Sequence, residues 1–406
     1  MVSFNDLKQL STRSKAVVAA ARRTMLAPDT SKIQPFFSIT DVELHSGIPA
    51  GRIRNILRHQ KFDGAPLPSG RTKEALGQQA DSLVGRGSKL FYTADEYSKI
   101  MHALNPERYR PNGANAVVLS ICNYKGGVTK STSAVSLAQA LSSLGHGRIL
   151  VMDLDPQGSM TNLFGYSQTL DIESDMTTLP VLMGQEASLK SKVLKTYWPG
   201  TDLIPSDPAL QSVESHFMRD IQENGLQAML RLRKALVDLK LEYDFIIIDT
   251  PPSLNNLTTH ALLNTDGVIM PLTPSNLDLC SASMFWDLFI ETCARFGAED
   301  HPDDPIFSFI KVFTPKVERT RSSQQVLLWI KETYSRYLSG VQVPKSAAVA
   351  NAADSFSTVF DTPPKGSTYK RSISHDIVRD AYIALAKEIE AEAMAIWNPS
   401  GQGNQA

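Results

Sequence analysis

Cysteine is scarce in this chain: Cys122, Cys280 and Cys293 are scattered among 406 residues. They form no Cys-x-x-Cys pair, which excludes a disulfide framework and a thiolate zinc site. Small core-type thiols in a reducing cytoplasm are expected instead. Long apolar runs are also missing. No stretch of about eighteen apolar residues occurs, so no membrane-spanning helix is expected, and the opening MVSFNDLKQLSTRSK lacks the apolar segment of a secretory signal. There is no internal repeat and no low-complexity tract. With 42% apolar and 20% charged residues, the composition is that of a globular protein with a real core. The length is generous for one domain and comfortable for two.

Charge is present but unevenly placed. Residues 1–112 hold 17 Lys and Arg against 10 Asp and Glu, and the remainder holds 24 against 32, although the whole chain nets −1. A basic front on an acidic body points to a polyanion as the front's partner. The texture changes at the same place. Residues 4–25 follow a helical period, and a short polar link covers 28–32. From Ile39 to His59 the pattern reads helix, tight turn, helix, with Ser38 as a cap, Gly47 at the turn and Pro49 opening the second helix. Residues 62–89 are rich in Gly, Pro and Ser and read as a loop or wing. A further helix over 92–104 is capped by Thr93 with Glu96 three residues on.

After a linker at 105–115, short apolar runs alternate with amphipathic helices. Strands are expected at 117–122, 148–153, 202–205, 245–249, 267–272 and 307–313. Helices are expected at 130–144, 207–240, 279–296, 322–338 and 375–397. Short, fully apolar strands alternating with helices imply a doubly wound, mostly parallel α/β sheet covered on both faces. The domains are then a leading helix at 1–30, a winged helix-turn-helix at 31–108, the α/β domain at 109–397 and a tail at 398–406.

The sharpest signal is Lys125-Gly126-Gly127-Val128-Thr129-Lys130-Ser131-Thr132, between a strand and a helix. Glycines let backbone N–H groups close around phosphate oxygens, and the helix N-terminus adds a favourable field. Lys130 is placed to contact the β- and γ-phosphates and the Ser131 hydroxyl to ligate Mg²⁺. The usual GxxxxGK[ST] spacing calls for glycine at 124 and 129, where this chain has Tyr124 and Thr129. An additional lysine, Lys125, opens the loop. Two acidic boxes follow at strand ends, Asp153-Leu154-Asp155-Pro156-Gln157-Gly158-Ser159 and Phe245-Ile246-Ile247-Ile248-Asp249-Thr250-Pro251-Pro252. Carboxylates there suit Mg²⁺ or an attacking water.

This set resembles the deviant Walker A ATPases of the ParA/MinD superfamily, over roughly residues 115–395. The front half resembles the large plasmid subgroup. The resemblance implies ATP/ADP and Mg²⁺ as ligands, with Lys125 reaching a neighbouring subunit's phosphates in an ATP-sandwiched homodimer. It further implies Asp155 as the residue orienting the attacking water, Asp153 in the metal's surroundings, Asp249 beside the metal and Thr250-Pro251-Pro252 as a γ-phosphate-sensing loop. Val343-Pro344-Lys345 resembles the family's late loop near the adenine, which nominates Pro344 for base contact.

Two DNA surfaces are expected. The helix-turn-helix offers Arg52, Arg54 and Arg58, with Ile53, Ile56 and Leu57 turned to the core, and Arg71, Lys73, Arg86 and Lys89 suit a wing on the phosphate backbone. A second, sequence-blind surface draws on Arg319, Arg321, Lys365, Lys370, Arg371 and Arg379. The resulting reading is a DNA-segregation ATPase, cytoplasmic and nucleoid-associated. It is slow alone, stimulated by a ParB-like centromere-binding partner and by bulk DNA, and represses its own operator. The alternative is a nucleotide-regulated repressor with no segregation role. A MinD-like membrane role fits poorly, because the last helix carries Glu388, Glu390 and Glu392 rather than a basic face.

Overall fold

The computed structural model describes residues 2–25, 32–76, 89–295, 298–362 and 372–399. The expected Arg86, Lys365, Lys370 and Arg371 lie outside them. The leading helix α1 (Phe4–Met25) presents exposed Phe4, Leu7, Leu10 and Val17. After it, β1 (Phe36–Ser38) leads into α2 (Ile39–Ser46). Ser38 and Asp41 form a reciprocal capping box there, and Gly47 ends the helix at φ 72°. Three residues later α3 (Ala50–His59) begins, with Ile53 buried beneath it.

The residues read as a wing divide differently. β2 (Lys61–Phe62) and β3 (Ala65–Pro66) make a minimal hairpin across Asp63-Gly64, and β4 (Phe91–Thr93) pairs antiparallel with β1. The next helix, α4 (Ala94–Leu104), therefore starts two residues later than its periodicity suggests, because Tyr92 belongs to a strand. Its Thr93/Glu96 capping box is as expected.

The body is one eight-stranded sheet. Its strands are β5 (Val117–Ile121), β6 (Ile149–Asp153), β7 (Leu194–Lys195), β8 (Thr201–Ile204), β9 (Phe245–Asp249), β10 (Gly267–Pro271), β11 (Phe309–Val317) and β12 (Leu338–Pro344). Their order is β12-β11-β10-β5-β9-β6-β8-β7, parallel except for the short edge strand β7. Alternation decides the two faces. Val117, Leu119, Ile149, Val151, Phe245 and Ile247 pack with α5 (Lys130–Ser143) and α12 (Ile373–Trp397) on one side. Val118, Leu150, Met152, Ile246 and Ile248 pack on the other with α7 (Arg231–Glu242) and α8 (Asn256–Leu262), beyond α6 (Ser212–Asn224). The helices α9 (Asn276–Arg295) and α10 (Arg321–Tyr334) flank β10 and β11, and α11 (Ala347–Asp354) follows β12. The sequence expectation left out β12 and α11. β12 is an edge-side strand with a broken burial pattern, so it lacks the solid apolar run that marks the central strands.

The front domain is docked on the body through the far end of α5. Three successive carbonyls at that helix C-terminus accept from three hydroxyls of the front: Ser143 from Tyr97 at 2.8 Å, Leu144 from Tyr109 at 2.9 Å and Gly145 from Ser98 at 2.6 Å. These carbonyls have no partner within the helix and would otherwise need water. Gly145 sits at φ 101°, and a Cβ there would lie 2.6 Å from both Met101 Cβ and the Tyr109 hydroxyl. Beside it Glu390 of α12 binds Arg108 at 2.6 Å and His146 Nε2 at 3.0 Å.

Candidate functional site

At the C-terminal edge of the sheet, β5 runs into the loop 122–129 and then into α5. A cavity of about 730 Å³ opens there, lined by Gly126, Gly127, Thr129, Lys130, Ser131, Thr132, Asp155, Pro252, Thr273, Lys316, Pro344, Val349, Ala353 and Tyr382 among others. Its position follows from topology. β9 and β10 flank β5 although the chain reaches them much later, so connections leave β5 and its neighbours toward opposite faces and open a crevice. The helix behind the loop is buried almost all round; 12 of its 14 residues are buried, which fixes its axis toward the cavity.

The sequence-nominated loop residues converge with two exceptions. Val128 turns into the core at 2% exposure. Lys125 points away from the cavity and forms an ion pair with Asp278 at the start of α9, so reaching a second subunit requires releasing that pair. Lys130 is 6% exposed, and its Nζ donates to the Lys125 carbonyl at 3.1 Å, curling the loop back on itself. Pro344 lines the cavity opposite the loop, where the small residues of α11 leave room for a flat ring.

Three carboxylates lie under Lys130, in different situations. Asp153 is fully buried. Its Oδ1 accepts from the Asp155 amide at 3.1 Å, and its Oδ2 accepts from the Thr161 amide at 2.9 Å and the Thr161 hydroxyl at 2.7 Å. Both oxygens thus hold the loop after β6. Asp155 lines the cavity, with Oδ1 accepting from the Gln157 amide at 3.0 Å. Asp249, at the end of β9, is fully buried; no backbone amide holds either oxygen, and the Ser131 hydroxyl is the donor that stands by it.

Burial, then the charge of Asp153, pushes the Asp249 carboxyl well above the usual range, against the pull of Ser131 and Lys130. Burial also raises Asp153, to about 7, against its Thr161 hydrogen bonds, and raises Asp155. Burial lowers Lys130, while Asp249 and Asp155 oppose that shift. The site therefore crowds together more buried carboxyls than one lysine can keep ionised.

A divalent cation fits that imbalance. Among the described residues no cluster of three or more metal-type side chains occurs, so an all-protein cage is not what is built. A buried carboxyl at Asp249 paired with the Ser131 hydroxyl matches the sparse protein ligation of Mg²⁺, which takes its other ligands from phosphate and water. Thr250, next to Asp249, is tied to the end of β5 through its hydroxyl and the Ile121 carbonyl at 2.9 Å. The loop beyond it ends at Asn255, which caps α8, while Glu214 of α6 accepts from the Asn256 and Leu257 amides at 3.2 and 3.3 Å.

Sequence reasoning missed Lys316 and Tyr382. Lys316 stands at φ 55° and donates from Nζ to the Gly127 carbonyl at 2.6 Å. Tyr382 reaches the cavity from α12 and bonds Ser133 at 3.0 Å across 249 residues of chain. No local pattern marks either one, since only the fold brings them to the loop.

Of the DNA candidates, Arg52, Arg54 and Arg58 are exposed along α3, and Lys89, Arg319 and Arg321 are exposed as well. Arg71 is paired with Glu96 at 2.8 Å. Arg379 is paired with Asp376 and Asp380, each at 3.1 Å, which leaves it less available to phosphate than the sequence suggested.

Comparison with known proteins gives a consistent set of likenesses. The AAA domain family matches residues 116–294. The chromosome partitioning protein ParA of Caulobacter vibrioides (strain NA1000 / CB15N) is 40% identical over 276 residues, covering 67% of this chain and 93% of that protein. A solved structure described as a partition protein superposes with a TM-score of 0.61 at 19% identity, over 96% of this chain and 98% of that one. That likeness is one of fold, and it takes in the front domain. A structure from Borrelia burgdorferi B31, described as of a plasmid partition protein and bound to AMPPNP, matches at 25% identity with a TM-score of 0.50. It covers 68% of this chain and 99% of that one.

Proposed function

The chain belongs to the ParA family of partition proteins, and from that membership and the loop geometry we propose that it is an ATP-driven DNA-segregation protein. The observation that carries the proposal is the glycine loop, which lines the cavity through Gly126, Gly127 and Thr129–Thr132 together with Asp155, and sets Ser131 beside the buried Asp249. In this reading the backbone amides of the loop and Lys130 hold the triphosphate. Ser131 and Asp249 hold Mg²⁺, and Asp155 orients the attacking water. The base lies against Pro344 and α11. Bound Mg²⁺ supplies charge neutralisation on the β- and γ-phosphates.

Lys125 leaves Asp278 to complete the site of a second copy, so the ATP form is a sandwich dimer. That dimer binds bulk DNA through surface cations such as Arg319 and Arg321. Turnover is slow until a ParB-like partner and DNA stimulate it; an added cationic group is worth about 10³–10⁵ in rate in related NTPases. The exposed arginines of α3 read the operator, and α1 assists dimerisation. Among the described residues no helix is long and apolar enough to cross a membrane; in this reading the protein acts at the nucleoid in the cytoplasm, where its bulk DNA lies. A role confined to nucleotide-regulated repression is the second reading, supported by those same α3 arginines.

The deciding experiment measures ATP turnover, dimerisation and DNA binding together across a salt series. Weak basal hydrolysis, raised by the partner and DNA, is expected. So is ATP-dependent, sequence-independent DNA binding that weakens by roughly 10³–10⁵ between 50 and 200 mM salt, if six to ten phosphates are contacted. Lys125→Ala should still bind ATP as a monomer but lose pairing and turnover, and Arg54→Ala/Arg58→Ala should lose only operator binding. Fast turnover indifferent to partner and DNA would sink the segregation reading. Operator binding as the only DNA mode would favour repression.

A further inference from the structure

The phosphate loop places a threonine where its backbone calls for glycine. Thr129 has φ 74°, and a β-branched residue there is an outlier that persists only when its surroundings hold it. Those surroundings are specific. Thr129 Oγ1 bonds Ser133 Oγ at 3.1 Å, and Ser133 Oγ bonds the Tyr382 hydroxyl at 3.0 Å. The Ser133 amide also donates to the Thr129 carbonyl at 2.7 Å. Tyr382 is itself fixed. It is 3% exposed, sits in the core under α5, and places its ring 6.3 Å from that of Phe313. Burial pushes the phenol up to about 12, so it stays a proton donor through the physiological range. A buried phenol needs an acceptor, and the order Tyr382 to Ser133 to Thr129 supplies one. The three hydroxyls run as a continuous rod from α12, through the first turn of α5, to the loop residue.

We propose that Tyr382 is a positioning residue for nucleotide binding: through Ser133 it locks Thr129 in the left-handed conformation that other phosphate loops obtain from glycine. The inference rests on the reading that this loop binds nucleotide, and it adds how the chain tolerates the missing glycine. The consequence is a dependence that glycine should abolish. With Thr129→Gly the left-handed backbone carries no side-chain penalty, and the hydroxyl rod has nothing left to hold.

The test is a double-mutant cycle on the full-length protein, read as affinity for Mg·ATP and for ADP and as KM against kcat. In the parent, Tyr382→Phe should weaken binding roughly three- to tenfold, the scale of one net hydrogen bond, chiefly through KM. Ser133→Ala should do the same, which covers the case in which Tyr382→Phe folds poorly. In Thr129→Gly the same two changes should alter affinity less than about twofold, well under one hydrogen bond. An equal loss in both backgrounds would show Tyr382 to be core packing alone and overturn the proposal. A Thr129→Gly protein that no longer binds nucleotide overturns it too, because the site would then need the side chain rather than the backbone. If the parent itself bound no nucleotide, the proposed function would fall. The backbone claim would then be read from melting, where Tyr382→Phe should lower the Tm of the parent and spare that of Thr129→Gly.

Discussion

Asp249 shows at residue scale how this site is prepared for a ligand. Its carboxyl is buried with the Ser131 hydroxyl beside it and no backbone amide on either oxygen, an arrangement that costs stability in the free protein. Asp249→Asn should therefore leave the Tm of the nucleotide-free protein unchanged or raised, while Mg²⁺-dependent nucleotide affinity falls at least about tenfold, or about 1.4 kcal/mol. Calorimetry with and without Mg·ADP checks both halves. A lower Tm without ligand would show that the charge is structurally supported after all. Asp153 is the contrast. It was also nominated from sequence for the metal's surroundings, yet both of its oxygens hold the loop at Thr161 and Asp155. Residue type and strand-end position nominated both aspartates equally; only the donors around each distinguish them.

At the scale of elements, α5 joins the two halves of the molecule. Its first turn borders the cavity, and the carbonyls of its last residue, Ser143, and of Leu144 and Gly145 just beyond it are capped by the front domain. Tyr109→Phe should cost about 1 kcal/mol in urea unfolding, as a single hydroxyl–carbonyl bond does, and Tyr97→Phe more, because its hydroxyl also pairs with the buried His45 Nδ1 at 2.8 Å. Gly145→Ala should cost more than either, because its new Cβ meets Met101 and Tyr109 at 2.6 Å in a left-handed backbone. Equal stability of Gly145→Ala and the parent would mean that the front domain is not seated as described. Much of α5 was legible beforehand, since a helix after an apolar strand and a glycine turn has few other places to go. Its capping was not, because Tyr97, Ser98 and Tyr109 look like ordinary polar positions until α4 lies against it. β12 and α11 were illegible for a similar reason: a half-buried edge strand and a short alanine-rich helix carry weak periodic signals, yet they form the cavity's far wall.

For the whole molecule, the junction and the body share a dependence on pH. His102, stacked on Tyr109 at 3.6 Å between the front domain and α5, is lowered to about 4, first by burial and then by the nearby His146. His260 in α8 is likewise lowered to about 4, first by burial and then by Arg231. Both are neutral in the fold and take up a proton on unfolding. Their stabilising effect is thus complete above the unfolded value near 6.5 and is lost as pH falls from there toward 4. Unfolding in urea at pH 7.5, 6 and 5 should show a falling midpoint, and His102→Phe should flatten the fall. An unchanged slope in that variant would remove His102 from the account.

What the sequence determined by itself was whatever is written locally: the glycine loop between strand and helix, the carboxylates closing β6 and β9, the cap at Ser38 and the capping box at Thr93, and the alternation of apolar runs that requires a parallel sheet. Backbone conformation and short-range hydrogen bonds set these, so neighbours in the chain suffice. Tertiary structure alone decided that Lys125 rests on Asp278, that Asp153 and not Asp249 is held by backbone amides, and that Tyr382 stands behind Thr129. Each of those is a contact between residues far apart in the chain, selected by how helices pack on the sheet, and burial there sets which charges and hydroxyls must find one another.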